Sequence, residues 1–452
     1  MGLARVKTFV LENSPASLVV ALLRRFVTKN DYQSKRESIT FFQRANVAYG
    51  AHKQRRSARL LRVAFGLLGD ELPMSYVRLI IGAMNQTQRE VSQRGALSSE
   101  ILAATKALAI DITDATGWSQ LSRGLFGIGY FRAAWVAREN SIELSIIEGG
   151  AAGAGANAVS RAIQAHLERR NFAEVEALLA KSVGQIKDSV LRDLRDYLDM
   201  MQNKYMMPPL DPNSPNYEAE KLFSELITGK SVALVGTGSP SGQHGNEIDS
   251  SDIVVRIKYV GREHLPPQEF HGHRCDISQY NLHDPLISLA DGGQPQSFIG
   301  DLQLVLTSSV PMRAQIQHRP VLELTSSGPI YRTTSTSGVR NIFHLLRLSS
   351  RQLKIYGYDF YSKIEQYAPE MILFFQERGP ILGDPYLYGQ HGAIPDYVIA
   401  QSFSTHDAVS NFCFVQNLYQ AGLFEIEPYG ASILALTPYQ YVERLEEMLG
   451  DW

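Results

Sequence analysis

The chain has 452 residues, 44% hydrophobic and 20% charged, which excludes a disordered chain and allows two or three domains with cores of their own. No apolar stretch approaches the roughly 18 residues of a membrane-spanning helix, since the best candidate, Ser17 to Leu23, stops at Arg24 and Arg25. Only Cys275 and Cys413 are present, so there is no disulfide framework and a reducing compartment is expected.

The N-terminus lacks a signal-peptide pattern, because Arg5 and Lys7 are followed by Glu12 without an apolar core and cleavage site. A cytoplasmic protein is the expectation. The net charge of −2 conceals an asymmetry: residues 1–60 hold twelve basic residues against Glu12, Asp31 and Glu37, giving +9 there and −11 elsewhere. Such an end attracts an anionic membrane face, an acidic polysaccharide or a partner protein, and it equally describes a solvated Arg-rich helical surface. No nucleic-acid partner is expected.

From Pro15 to about Tyr205 the pattern is helical, with apolar residues at three- and four-residue spacing, as in Leu60, Leu61, Val63, Ala64, Leu67 and Leu68. Two segments read as helix-turn-helix units. One has Trp118 and Leu121, a turn at Gly129-Tyr130-Phe131, then Ala133, Ala134 and Ala137; the other runs from Ala162 to Leu167, turns at Arg170-Asn171-Phe172 and continues through Val175, Leu178 and Leu179. These resemble tetratricopeptide units, although Phe131 and Phe172 lie 41 positions apart, against a family period of about 34. An all-α, repeat-like domain is expected over 1–205, either stabilising the second half or holding an acceptor or partner. Four prolines between Met206 and Pro215 then mark a linker, 206–217.

Over 218–452 strands and helices alternate. A helix is expected at Glu218 to Ile227 and strands at Ser231 to Val235, Asp252 to Tyr259, Leu302 to Leu306 and Leu353 to Tyr356. Helices follow at Val339 to Leu348 and near Ala408 to Ala421. This order is that of a Rossmann-like α/β domain.

The glycine-rich loop Gly236 to Gly242 has two readings. A dinucleotide site uses Gly-x-Gly after a strand to bring backbone amides to a phosphate. Yet Pro240 follows at once, and Asp249 and Asp252 precede the second strand instead of ending it. The other reading fits more residues. Val235-Gly236-Thr237-Gly238-Ser239, then Gly245-x-Glu247-Ile248-Asp249-x-x-Asp252-x-Val254-x-Arg256-x-Lys258, resembles the large sialylmotif of sialyltransferases. Ser335-Thr336-Ser337-Gly338, a helix, and Ile355-Tyr356-Gly357-Tyr358 resemble the small motif. His406-Asp407 before a helix is similar to the very short motif.

The resemblance covers about half the chain and implies a GT-A-variant-like glycosyltransferase domain. It further implies inverting transfer of a sialic-acid-like keto-sugar acid from a CMP donor to a glycan or glycoconjugate hydroxyl. It makes His406 the general base and assigns donor binding to Gly236, Thr237, Gly238, Ser239, Lys258, Thr336, Ser337, Gly338, Gly357 and Tyr358. The cysteines that link the larger motifs in the animal enzymes match Ser231 and Ser350, as suits a cytoplasmic, bacterial-type enzyme. Two family asparagines match Thr237 and Lys258, and a glutamate matches Ser410. CMP-activated 3-deoxy-manno-octulosonate would suit the same machinery. A dinucleotide-dependent enzyme and a non-catalytic scaffold also stay open.

Individual roles follow. Thr336-Ser337-Gly338 would offset the leaving phosphate at a helix N-terminus, or simply cap that helix. Lys258 adds charge or is a solvated strand-end lysine. Asp407 would orient His406, Arg256 would pair with Asp249 or Asp252, and Glu247 and Asp249 are loop architecture. No Asp-x-Asp occurs, in keeping with a one-phosphate donor and metal-free catalysis without a cofactor. His271, His273 and Cys275 lack a fourth ligand in sequence and are not expected to bind zinc.

Overall fold

A computed structural model describes residues 131–280, 297–308, 319–363, 367–374 and 406–449, with Ala115, Thr116, Trp118, Ser119, Ser122 and Phe126 before them. The basic end, the apolar pattern at Leu60 to Leu68, and Leu121, Gly129 and Tyr130 lie outside the described residues. The described chain forms two compact units.

The larger unit is built on a seven-stranded parallel sheet: β1 (Ser231–Val235), β2 (Ile253–Ile257), β3 (Ile277–Tyr280), β4 (Leu304–Thr307), β5 (Val321–Glu323), β6 (Gln352–Tyr356) and β7 (Glu425–Ile426). Its order is β5-β4-β3-β2-β1-β6-β7. The central strands β1 and β2 are short apolar, β-branched runs, as strands covered on both faces require. Ala233, Val235, Ile248, Val254 and Tyr356 form one core cluster beside them. From β1 the chain steps outward to β5, then returns across β1 to β6 and β7. The order therefore reverses between β1 and β6, and ligands of open α/β sheets bind outside the carboxyl ends of strands at such a point.

The expected strands and helices of this half are present with shifted ends. β2 stops at Ile257 because Lys258 takes a left-handed φ of 56°. The strand expected at Leu302 to Leu306 runs Leu304–Thr307, and β3, β5 and β7 were not expected.

Helices α1 (Phe131–Gly150), α2 (Ala156–Glu168), α3 (Phe172–Lys181) and α4 (Asp188–Met201) precede α5 (Tyr217–Ile227). The second expected helix-turn-helix thus appears as α2 and α3, whereas Phe131 opens α1. Residues 204–211 have no regular structure, in line with their prolines. The compact units nevertheless divide within α2, between Ala165 and His166, and not at this segment. The physical reason is packing of α4 within the sheet unit. Tyr197 stacks on Phe414 of the helix Ala408–Gln420, with ring centroids 4.4 Å apart at 12°, and its hydroxyl donates to the Phe414 carbonyl at 3.0 Å. Arg347 pairs with Asp193 at 3.2 Å and Asp196 at 2.7 Å.

The other unit joins α1, the start of α2, His406 and Asp407, and a helix at Pro438–Leu449. Gly149 lets α1 and α2 approach, since a Cβ there would meet Ala162 Cβ and the Ala158 carbonyl. Trp135 meets Tyr439 edge-on at 6.3 Å, and Arg132 pairs with Glu446 at 3.7 Å. Among the described residues no helix is long and apolar enough to cross a membrane.

A fragment beginning at Met206 loses α4 and leaves Phe414 bare, so it is expected to melt well below the full chain or to aggregate. In the full chain Tyr197→Ala should cost about 3 kcal/mol, read from urea unfolding followed by circular dichroism.

Candidate functional site

The turns after β1 and β6 leave neighbouring strands, with Val235 opposite Tyr356, and touch at once. Gly236 N–H donates to the Tyr356 carbonyl at 2.8 Å, and Gly238 N–H to the Gly357 carbonyl at 3.3 Å. A Cβ on Gly236 would strike the Gly357 carbonyl and lie 2.8 Å from the Tyr358 ring. Gly357 has φ 65°, and a Cβ there would stand 2.5 Å from the Gly238 carbonyl. These glycines are required because two backbones pack face to face. The Gly236 and Gly238 amides are engaged by the Tyr356 and Gly357 carbonyls, which departs from the expected open cradle. Thr237 is half-buried and Ser239 exposed.

Glu427, only 3% exposed, fastens the two turns. One carboxylate oxygen accepts Gly357 N–H at 2.6 Å, and the other accepts Ser241 N–H at 2.6 Å and Ser241 Oγ at 2.9 Å. Sequence reasoning missed this residue, for nothing local ties it to a loop 186 positions away.

Tyr358 forms the next layer. Its ring lies against Gly236 on one side and Gly338 on the other, where a Cβ would collide with the ring. Gly338 sits in the first turn of α6 (Ser337–Arg347; the shorter helices Gly245–Ser250 and Gln268–His271 carry no label). The Tyr358 hydroxyl is buried without a partner, and burial raises its pKa. Thr336 holds the N-cap position but makes no side-chain cap; its N–H donates to Asn411 Oδ1 at 3.0 Å. The simple capping role expected of its side chain is therefore absent. One turn further, Arg340 donates to Ser335 Oγ and Ser327 Oγ, both at 3.3 Å, and makes no ion pair among the described residues; its burial lowers its pKa.

Lys258 closes another side. Its N–H donates to the Gln279 carbonyl at 2.9 Å and its Nζ to Tyr367 Oη at 3.1 Å, with the charge 5.6 Å from that ring's centre. The adjoining Ala368 N–H donates to the Thr237 carbonyl at 2.8 Å. Lys258 is therefore held in place and is not a freely solvated strand-end lysine.

Asp359 was also missed, although an acid just past a strand's carboxyl end was the available signal. Its Oδ1 accepts Tyr361 N–H at 2.9 Å, while its Oδ2 lies 3.9 Å from the point a Gly238 Cβ would occupy. Burial pushes this carboxyl up to about 6. Phe360 and Tyr361 both have left-handed φ, 52° and 61°, a strained pairing for residues with side chains.

Behind the loop, Arg256 is buried and donates to the carbonyls of Arg274 at 2.8 Å and His271 at 2.9 Å, with His271 Nδ1 2.9 Å from its Nη1. It does not pair with Asp249 or Asp252 as expected. Asp249 accepts the N–H groups of His273 and Arg274, and Asp252 accepts Ser231 N–H and pairs with Arg351 at 3.0 Å. Glu247 pairs with Lys354, so Glu247 and Asp249 do serve as architecture. The His271 ring is buried beside the Gly238 backbone, and burial with the Arg256 charge holds its pKa well below the usual range. His273 faces the Pro266 carbonyl and Cys275 the Ile277 carbonyl, and among the described residues no three metal-ligating side chains converge.

His406 belongs to the other compact unit and is half-buried. The neighbouring Asp407 carboxylate accepts Arg138 Nε at 3.1 Å, and Arg138 is only 1% exposed. Asp407 is thus anchored to α1, a partner the sequence did not indicate. Ser410 is buried inside its helix.

Glu427→Gln would turn an amide against donors that face a carboxylate, and is expected to cost roughly 2–4 kcal/mol, measured by denaturant unfolding. Asp359 has a folded pKa of about 6 above its ordinary 3.8, so its charge disfavours folding above pH 6 and that penalty disappears as pH falls toward 4. Asp359→Asn should therefore stabilise the protein near pH 7 by about 1–3 kcal/mol and make little difference near pH 4, read from melting curves across pH.

Compared with known proteins, the chain matches no family model and no curated sequence.

Proposed function

We propose that this chain is an inverting glycosyltransferase of the sialyltransferase type, with a GT-A-variant-like catalytic domain. It would move a sialic-acid-like keto-sugar acid from a CMP donor to a hydroxyl of a glycan or glycoconjugate. One observation carries this reading: the stretches resembling the large and small motifs, 235–258 and 335–358, lie on adjacent strands and meet at the sheet's reversal. Ser231 pairs with Gln352, two residues from Ser350, so the positions of the animal enzymes' linking cysteines fall at neighbouring strand starts. The dinucleotide alternative is less favoured, since Lys258 and not an acid follows the end of β2, and the Gly236 and Gly238 amides are engaged.

In this reading, transfer breaks the bond from the anomeric carbon to the CMP phosphate while the acceptor hydroxyl attacks, and His406 takes the hydroxyl proton. The phosphate gains charge as it leaves. The α6 N-terminus, Lys258 and Arg340 are among the groups of suitable sign on this unit. No metal or cofactor enters the proposal. A 3-deoxy-manno-octulosonate donor fits the same chemistry. The repeat-like helices would hold the acceptor or a partner, and the basic end an anionic membrane face on the cytoplasmic side.

The test is isothermal titration with CMP in EDTA, with NAD and UDP as controls. Saturable binding of CMP alone is expected, followed by transfer from a CMP-sugar that falls 10²- to 10⁴-fold, roughly, in His406→Ala. Binding of NAD alone would overturn the proposal, and undiminished transfer by His406→Ala would remove that residue's role.

A further inference from the structure

A buried carboxylate, Glu427, and a half-buried one, Asp359, lie near one another at the carboxyl ends of the strands, and their surroundings differ. Glu427 accepts three hydrogen bonds and is fully engaged in holding the turns together. Asp359 accepts Tyr361 N–H at Oδ1, and its own backbone N–H also acts on the carboxylate. Among the described residues no cation pairs with it directly, and the residue is partly open to solvent. An ionised carboxylate offers about four lone-pair directions, and withdrawing such a group from water without partners is unfavourable. The left-handed pair Phe360 and Tyr361 turns the chain back so that Tyr361 N–H fixes the carboxylate from one side. Backbone strain that holds one polar group in a set orientation is a mark of preorganised sites.

Oδ2 lies on the Gly238 side of the residue, 3.9 Å from the point a Cβ there would occupy, beside the Gly357 carbonyl that packs against Gly238. This is the crevice outside the sheet's reversal, where a ligand is expected. The chemistry of the ligand group follows from charge. A carboxylate repels phosphate and the sugar carboxylate, so the group it receives is a hydrogen-bond donor. Lys363, Glu427 and Tyr361 are the ionisable neighbours that act on it. Lys363 Nζ lies instead over the Tyr429 ring at 4.1 Å, which leaves the carboxylate without a direct cation. In a nucleotide-sugar the densest donors are vicinal sugar hydroxyls, which can give two hydrogen bonds to one carboxylate.

We propose that Asp359 is a substrate-binding residue that accepts hydrogen bonds from a sugar diol of the nucleotide-sugar donor. This rests on the CMP-sugar reading above. The diol belongs either to the ribose or to the transferred sugar.

The full-length chain would be titrated at pH 7.5 with CMP, 2′,3′-dideoxy-CMP and CMP-N-acetylneuraminate, as wild type and as Asp359→Asn. Melting curves and circular dichroism check that the variant is folded. A hydrogen bond to a charged group makes a difference of about ten- to a hundredfold. If the diol is the ribose, wild type prefers CMP over the dideoxy compound by that factor. Asp359→Asn then loses the preference while binding dideoxy-CMP as before. If it belongs to the transferred sugar, Asp359→Asn weakens CMP-N-acetylneuraminate alone. Wild type that binds CMP and CMP-N-acetylneuraminate, with Asp359→Asn matching it for all three compounds, overturns this inference and leaves the transferase reading intact. Wild type that binds none of the three overturns both.

Discussion

The turns that leave β1 and β6 emerge side by side, and they can touch only because neither carries a Cβ where they meet. Gly236 and Gly238 face Gly357 across a gap that backbone atoms alone fill. The rest of the candidate site inherits its position from that contact. Tyr358 follows Gly357 and is set between Gly236 and Gly338, which brings the first turn of α6 against the loop. Asp359 is carried to the same crevice one residue later. Glu427 holds the pair of turns shut from below with a single carboxylate.

Charge is handled differently on the two sides of the loop. Arg256 has no carboxylate in contact among the described residues, and a positive charge withdrawn from water needs its donors met. Two backbone carbonyls and His271 meet them, and the same cation keeps that imidazole neutral. On the open side Lys258 is tied to Tyr367, and Arg340 rests on serine hydroxyls. The site thus combines held cations with one partly satisfied acid.

The elements legible in the sequence were those whose signal is local. β1 and β2 are largely apolar five-residue runs, β6 alternates polar and apolar residues before Gly357, and α6 has a regular apolar stripe behind its serine and threonine. β3 escaped because Ser278 and Gln279 interrupt its apolar pattern yet are fully buried, and β7 because it is two residues long. The motif glycines were legible as a site, but not the reason for them, since Gly357 lies more than a hundred positions beyond Gly236. Glu427 and the partner of Asp407 were hidden for the same reason, whereas Asp359 carried a local signal as an acid just past the end of β6. A carboxylate's neighbours across a sheet leave no periodicity in the chain.

Arg138 and Asp407 are 269 positions apart, and Arg132 and Glu446 are 314 apart, yet each pair lies within one compact unit. That unit is therefore threaded through the chain at both ends of the sheet unit. During synthesis α1 emerges long before the helix Pro438–Leu449 that covers it, so its packing face stays open while the sheet is being made. Contacts of such long sequence separation are slow to form, and an apolar helix left waiting is a natural client for chaperones. The Arg138 guanidinium gains its buried carboxylate only once the strands up to β6 have already passed.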